Sequence, residues 1–341
     1  EDAAHQRMLQ ALRELDGAPF TRELLAQLRH LDAATVAADR SWATALFAVV
    51  NNRRRHLLNS MQLRAHARAC RVPALRWRNQ LHASSRLADA SPGALDTLYA
   101  HLPELWSYFL PGAPAMVTHN FCVRAGVVNG ARCTLARVLF ASAADERAVR
   151  ELVAGASARG ETMVDISAHA PVAVVVRVHG LRTAASLFDA EPQCDLYPLP
   201  CNRSVTARTK MPSAVGGRRI DVKYHNYAYE LAWAVTFHKL QGQTVSGKLI
   251  VDLSKPKSPA EGRLSFEAAY VALSRVRRAG DMRLLPSRDT SLAHLLTVKP
   301  TRDLVNFLRQ YDPSDGRWKT SEVERAGCPT APTRAVRRRM Q

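Results

Sequence analysis

The apolar residues of the first 32 positions recur at helical spacing. One group contains Met8, Leu12 and Leu15, and a second begins at Leu24. A turn-forming segment at residues 16–19, with the sequence DGAP, separates the two groups. The pattern therefore predicts two short helices joined by a turn.

Strand-like and helix-like patterns follow each other in the next segment. The apolar run at residues 43–50 has the length of a strand, and a helical pattern extends from about Arg53 to Cys70. Ser91 and Pro92 then provide an N-cap and a first-turn proline for a helix that extends to about Leu102. This order indicates an α/β unit.

The pattern changes between residues 115 and 229. Short alternating runs rich in β-branched residues dominate, with one capped helix expected from Ser142 to Arg159. From residue 232 the α/β pattern returns, with strands expected at 232–237, 249–253 and 281–285 and helices capped by Ser265 and Thr301. We therefore expect a β-rich module inserted within an α/β domain, followed by a flexible basic tail at residues 313–341.

The amino-acid composition favours one class of binding partner. The 341 residues include 48 Lys and Arg against 30 Asp and Glu, a formal net charge of +18. Such an excess favours a polyanionic partner, with nucleic acid as the default. No apolar stretch approaches the ~18 residues of a membrane span, so a membrane-embedded protein is excluded. The absence of a secretion signal predicts a nuclear or cytoplasmic protein, with a mitochondrial location as an alternative.

The cysteines favour free thiols. Six are spread along the chain without a CxxC pair, and no second Cys/His pair lies at ligand spacing. We therefore expect no metal site. The six cysteines are Cys70, Cys122, Cys133, Cys194, Cys201 and Cys328.

One long segment contains many basic residues and no acidic ones. Residues 40–88 contain ten arginines and no Asp or Glu, with Trp77 among them. Arginine with an aromatic residue suits backbone neutralisation and base stacking on a single strand. The alternative is an Arg- and Ala-rich composition that places charge on any solvated face.

Two segments carry the most specific pattern in the chain. Thr236–Thr244 reads TFHKLQGQT between two predicted strands, and Tyr270–Arg275 reads YVALSR. Together they resemble motifs V and VI of superfamily-one DNA helicases of the Pif/RecD type, including the helicase domains of Helitron transposons. The run VVNNRRRHLLN, with Asn52 and Asn59, resembles motif IV of that family.

The resemblance implies roles for individual residues. Thr236, His238 and Lys239, with Asn52 and Asn59, would contact DNA. Gln241, Gly242 and Thr244 would face a cleft that binds ATP and Mg²⁺. Arg275 resembles the arginine finger, which neutralises charge on a transferred phosphoryl group. Each residue alone also fits a simpler interpretation, as a solvated loop, a helix core position or a surface ion pair.

One match to a phosphate-binding loop is rejected. Residues 242–248 satisfy GxxxxGK, but Leu249 stands where a Ser or Thr should hold magnesium, and a strand is expected where a helix should begin. LIVDL imitates a Walker B strand, but Leu253 follows Asp252 where a catalytic carboxylate would stand. The triphosphate-binding half of a helicase is thus expected to lie outside this sequence, and we expect no ATP hydrolysis by this chain alone.

The resemblance also implies a fold: a second RecA-like domain, of the P-loop NTPase superfamily, interrupted by an SH3-like β-barrel. Residues 1–40 would trail a first RecA-like domain, 41–114 and 230–312 would form the second, and 115–229 would form the insertion. The function expected is the C-terminal portion of an ATP-dependent 5′–3′ helicase acting on single-stranded DNA or DNA junctions. The rival is a non-catalytic nucleic-acid-binding remnant of a helicase or transposon protein.

Overall fold

The computed structural model describes most of the chain. The described residues are 2–13, 19–82, 91–181, 195–201, 203–210, 219–255, 264–286, 292–309, 311–312 and 317–318. Most of the predicted basic tail, together with Cys194 and Cys328, lies outside them.

Eight α-helices occur in the described residues. They are α1 (Ala3–Arg13), α2 (Arg22–Gln27), α3 (Ala33–Ala38), α4 (Asn52–Cys70), α5 (Pro92–His101), α6 (Ala143–Ala158), α7 (Phe266–Leu273) and α8 (Arg302–Arg309). Side-chain oxygens of Ser91, Ser142 and Ser265 accept from the backbone N–H three residues on, which confirms the three predicted caps. Thr301 accepts from Leu304 N at 3.3 Å and caps α8 in the same way.

Sixteen strands occur in the same part of the chain. They are β1 (Leu46–Val49), β2 (Ala74–Arg78), β3 (Trp106–Phe109), β4 (Pro114–Val117), β5 (Arg132–Leu139), β6 (Met163–Asp165), β7 (Ala173–Val178), β8 (Leu196–Pro200), β9 (Arg203–Lys210), β10 (Arg219–Asn226), β11 (Tyr229–Leu231), β12 (Ala234–Thr236), β13 (Leu249–Val251), β14 (Met282–Leu284), β15 (Tyr311–Asp312) and β16 (Arg317–Trp318).

A four-stranded parallel sheet, in the order β12-β1-β13-β14, forms the α/β part of the molecule. Its strands come from segments on both sides of the β-rich stretch, as the sequence predicts. Strand β1 is shorter than the predicted run because residues Arg40–Thr44 form a 3-10 helix, in which Trp42 is buried. Helices α1, α2 and α7 bury their apolar residues with this sheet in one hydrophobic cluster.

The intervening stretch forms two further sheets and a hairpin. Five antiparallel strands follow the order β11-β4-β5-β7-β8, and β9 pairs with β10. Strand β2 pairs with β3 and also, in parallel, with β6, so this sheet spans the predicted boundary at residue 114. A β-rich region is thus observed, while its SH3-like character and the domain boundaries stay predictions.

Trp77 is part of the core rather than of the basic surface. Its side chain is 1% exposed and packs edge-to-face on Tyr227, with ring centroids 5.4 Å apart. Alternation along β2 turns Leu75 and Trp77 inward, so the expectation that Trp77 stacks on bases is wrong.

Within the described residues, every helix is too short or too polar to span a lipid bilayer.

Candidate functional site

The predicted site lies where β12 ends at the carboxyl edge of the parallel sheet. Thr236 is the last residue of β12 and is buried. A 3-10 turn, Phe237–Leu240, follows, and its buried residues Phe237 and Leu240 anchor it to the core. His238 is exposed and Lys239 half-buried. This edge is where open α/β sheets bind ligands.

The following loop presents the residues predicted to face a nucleotide. Gln241, Gly242 and Thr244 are all exposed. Gly242 has φ +75°, a left-handed conformation that suits glycine, and Gln243 N donates to Leu240 O at 3.0 Å to close the turn. The loop therefore has a defined shape with its polar edge towards solvent.

Arg275 joins the two motif-like segments in space. Its Nη1 donates to the carbonyl oxygens of Gln243 at 3.2 Å and Leu240 at 3.5 Å. Nε donates to Val271 O at 2.9 Å, Nη2 donates to Ser274 Oγ at 2.7 Å, and Val245 N donates to Arg275 O at 2.8 Å. The guanidinium thus holds the loop after β12 against the end of α7, a contact that the sequence did not predict.

A half-buried carboxylate neutralises the predicted DNA-binding lysine. Glu230 of β11 forms ion pairs with Lys239 and with Arg55 of α4. The side chain of Arg55 is 8% exposed and that of Lys239 is 29% exposed, so only Lys239 can turn readily towards an outside partner. Burial lowers the pKa of Arg55 to about 10, so this guanidinium remains charged at neutral pH.

A second contact links the antiparallel sheet to the same loop. Arg132 of β5 donates from Nη2 to Gln243 Oε1 at 3.4 Å, and Gln243 Nε2 donates to Lys239 O at 3.0 Å. The loop is therefore contacted from both sides, by α7 and by the antiparallel sheet. Sequence reasoning missed both residues: Arg132 lies far from the two recognised segments, and Glu230, although close to Thr236 in the chain, lies on a strand of the other sheet.

The two asparagines of the third motif-like segment have different positions. Asn52 is exposed at the start of α4, where it can meet a ligand at the sheet edge. Asn59 is 5% exposed and donates to Leu231 O at 2.9 Å and Ala234 O at 3.0 Å. It also accepts from Ala234 N at 2.8 Å. Asn59 therefore holds α4 against the segment between β11 and β12. This positioning role replaces the expected contact of Asn59 with DNA.

An acidic residue follows β13 at the same edge. Asp252 is 2% exposed, accepts from Ser254 N at 3.0 Å and forms an ion pair with Arg54 of α4. Leu249 begins β13 directly, so a strand follows the GxxxxGK match, as expected when that match was rejected. Because its oxygens are already bonded within the protein, Asp252 does not offer a free carboxylate for magnesium. In the sequence, only its position at the end of a predicted strand marked Asp252 as a candidate.

No protein-family model matches the chain, and no curated protein matches it. Solved structures do match. The Pif1 helicase from Candida albicans covers 89% of this chain at 16% identity with a TM-score of 0.50, and the match covers 57% of that helicase. Bacteroides Pif1 bound to single-stranded DNA covers 92% at 16% identity, with a TM-score of 0.47 and 55% of its own length matched.

A Bacteroides Pif1 helicase in complex with ADP-AlF3 and single-stranded DNA also matches, at 16% identity and a TM-score of 0.45, over 90% of this chain and 53% of that one. By its likeness to the Candida albicans structure, the mixed α/β architecture with its parallel sheet resembles the RecA-like helicase fold. The chain spans little more than half the length of these helicases. It has the fold of the Pif1 helicases over that part of their length, consistent with a C-terminal half.

Proposed function

We propose that this chain is the C-terminal portion of an ATP-dependent DNA helicase that translocates 5′ to 3′. The observation that carries the proposal is the meeting of the two motif-like segments, in which the Arg275 guanidinium binds the carbonyls of Leu240 and Gln243. The similarity in fold to the Candida albicans helicase supports it independently. The insertion would be the SH3-like module that such helicases carry between the two parts of this domain.

The chemistry of the edge residues fits a DNA strand. His238 and Lys239 lie on an exposed turn after a parallel strand, where ring N–H and ammonium groups can bind phosphate oxygens. Asn52 lies at the start of α4 on the same edge and would add an amide donor. Binding would be largely independent of sequence, because these groups recognise backbone rather than base edges.

The residues around Arg275 fit a nucleotide phosphate. A guanidinium beside the exposed polar loop Gln241–Thr244 offers donors in a fixed fork. ATP with Mg²⁺ would supply the cleavable phosphoanhydride, and a preceding RecA-like domain would hold most of both. Arg275 would act as the arginine finger by turning one edge of its guanidinium from the loop carbonyls to the terminal phosphate.

A second candidate is a nucleic-acid-binding protein without catalysis. It would apply if no complete GxxxxGK[ST] loop precedes these 341 residues, which contain none themselves. Under this alternative, ATP has no influence on strand binding and Arg275 only holds the loop. Measuring strand affinity with and without ATP, in a protein that also carries a first RecA-like domain, separates the two candidates.

Strand binding is tested directly on this chain. We expect His238→Ala with Lys239→Met to weaken binding of a fluorescent oligothymidine about tenfold at low salt, because two phosphate contacts are lost. The measurement is fluorescence anisotropy over a series of salt concentrations. Lys299→Met, at an exposed lysine outside the site, is the control for loss of charge. Equal effects of the site and control variants would contradict the assignment of this edge to DNA.

The ion pair between Glu230 and Lys239 predicts a coupled effect. In the native chain Lys239 must leave Glu230 to bind phosphate, so part of its contribution to affinity is offset. In a Glu230→Gln background, Lys239→Met should therefore weaken oligothymidine binding about two- to fivefold more than it does in the native background. The amide can still accept a hydrogen bond from Arg55. Additive effects on the binding free energy would show that Glu230 does not compete with DNA.

A further inference from the structure

Two arginines and two aromatic residues lie together on the outer face of the three-stranded sheet. Strand β2 alternates, so Leu75 and Trp77 face the core while Arg76 and Arg78 face outward. Opposite them, Trp106 of β3 pairs in register with Arg78. Tyr99 of α5 completes the group, which we call the arginine–aromatic face (Arg76, Arg78, Tyr99 and Trp106).

The aromatic rings fix the positions of both guanidiniums. The Arg76 guanidinium carbon lies 4.6 Å from the Trp106 ring centroid, and that of Arg78 lies 4.8 Å from the Tyr99 centroid. The two rings meet edge-to-face with centroids 5.8 Å apart, and Trp106 Nε1 donates to Tyr99 O at 2.8 Å. Fixed guanidiniums lose little conformational entropy when a ligand binds, which suits them to phosphate recognition.

Both arginines remain accessible although each is paired with a carboxylate. Arg76 Nε lies 3.3 Å from Asp165 Oδ2, and Arg78 Nη2 lies 2.8 Å from Asp96 Oδ1. The arginine side chains are 37% and 39% exposed, so these are surface ion pairs, which contribute only about 0–1 kcal/mol each. A phosphate can therefore replace a carboxylate at little cost.

We propose that the arginine–aromatic face is a second binding surface for single-stranded nucleic acid, distinct from the edge at His238 and Lys239. Arg76 and Arg78 bind successive phosphates, and unpaired bases stack on the guanidinium planes and on the exposed part of Trp106. The proposal rests on the proposed function for its ligand class, since a helicase handles unpaired strands. Both arginines belong to residues 40–88, which contain no Asp or Glu, and the two neighbouring carboxylates, Asp96 and Asp165, come from other segments.

The test uses the full chain and a fluorescent oligothymidine. Arg76→Gln combined with Arg78→Gln should weaken binding about three- to tenfold at low salt. The slope of log affinity against log salt should fall by about 0.7 for each lost phosphate contact. The matched control is Arg150→Gln with Arg159→Gln on and beside α6, because these exposed arginines are also paired with carboxylates. An effect no larger than that of the control overturns the proposal.

A second variant keeps the test decisive if the double variant is unstable. Asp96→Asn removes the carboxylate that competes for Arg78, so it should tighten oligothymidine binding about twofold. A purely structural role for the face predicts a lower melting temperature with unchanged or weaker binding, and that outcome overturns the proposal.

The two proposed binding surfaces can be refuted independently of each other. If Lys239→Met weakens binding while the variants of the arginine–aromatic face match their control, the second surface is wrong and the proposed function stands. If the reverse holds, the edge assignment is wrong and the second surface stands. If the native chain does not bind oligothymidine, both proposals fall.

Discussion

Arg275→Ala should lower DNA-stimulated ATP hydrolysis by about 10³- to 10⁵-fold in a protein that joins this chain to a first RecA-like domain. A guanidinium that neutralises charge on a transferred phosphoryl group contributes rate factors of this size in nucleotide hydrolases. The measurement is phosphate release with and without single-stranded DNA. Arg277→Ala, at an exposed arginine two residues further along, serves as the control and should retain hydrolysis.

The structure adds a second readout to this experiment. Because Arg275 also donates to the carbonyls of Leu240 and Gln243, its loss could loosen the loop that carries His238 and Lys239. Strand affinity measured on the same variant separates the two roles. Lost hydrolysis with retained strand binding supports the arginine finger, whereas a parallel loss of both identifies Arg275 as a structural clamp. Retained hydrolysis would contradict the arginine-finger assignment outright.

Asn59→Ala should lower the free energy of unfolding by about 2–4 kcal/mol. The substitution removes three hydrogen bonds at a buried position and leaves the N–H of Ala234 and the carbonyl of Leu231 without this partner. An unsatisfied buried polar group costs about 1–3 kcal/mol, so two or more lost partners account for the range. Denaturant unfolding of the isolated chain, followed by circular dichroism, measures the change.

Asn52→Ala is the matched control on the same helix. Its side chain is exposed, so we expect a change in unfolding free energy within about 0.5 kcal/mol. In the strand-binding assay the order of the two effects should reverse. Asn52→Ala should weaken binding, whereas the folded fraction of Asn59→Ala should bind as tightly as the native chain. Equal stability of both variants would contradict the positioning role of Asn59.

Local signals predicted the helices well because each signal acts within a few residues. The N-caps at Ser91, Ser142 and Ser265 satisfy backbone N–H groups only three positions away, so the sequence contains the whole interaction. The alternation of strand-like and helical segments predicted an α/β unit with strands on both sides of the β-rich stretch, but not the order of those strands in the sheet. The 3-10 helix before β1 was missed because an apolar run of that length fits a strand equally well.

Contacts between separate elements of the fold account for what the sequence did not show. Trp77 was expected at the surface because it lies among arginines, yet the pairing of β2 with both β3 and β6 turns it inward. Lys239 pairs with Glu230, which is close in the chain but lies on β11 of the antiparallel sheet, and the partners of Asn59 lie more than 170 residues away. No periodicity in a single sequence identifies such partners. The residues that contact the candidate site from outside the recognised motifs were therefore found only in the structure.

The position of β1 in its sheet has a consequence for synthesis on the ribosome. Both of its neighbours, β12 and β13, are encoded roughly 190 residues downstream. At a synthesis rate of ~5–20 residues per second, both edges of the Leu46–Val49 strand stay without their native partners for ~10–40 seconds after it is made. A chaperone that shields unpaired strand edges during that interval should raise the yield of native chain, whereas strands β4, β5, β7 and β8 of the antiparallel sheet can pair before β12 is made.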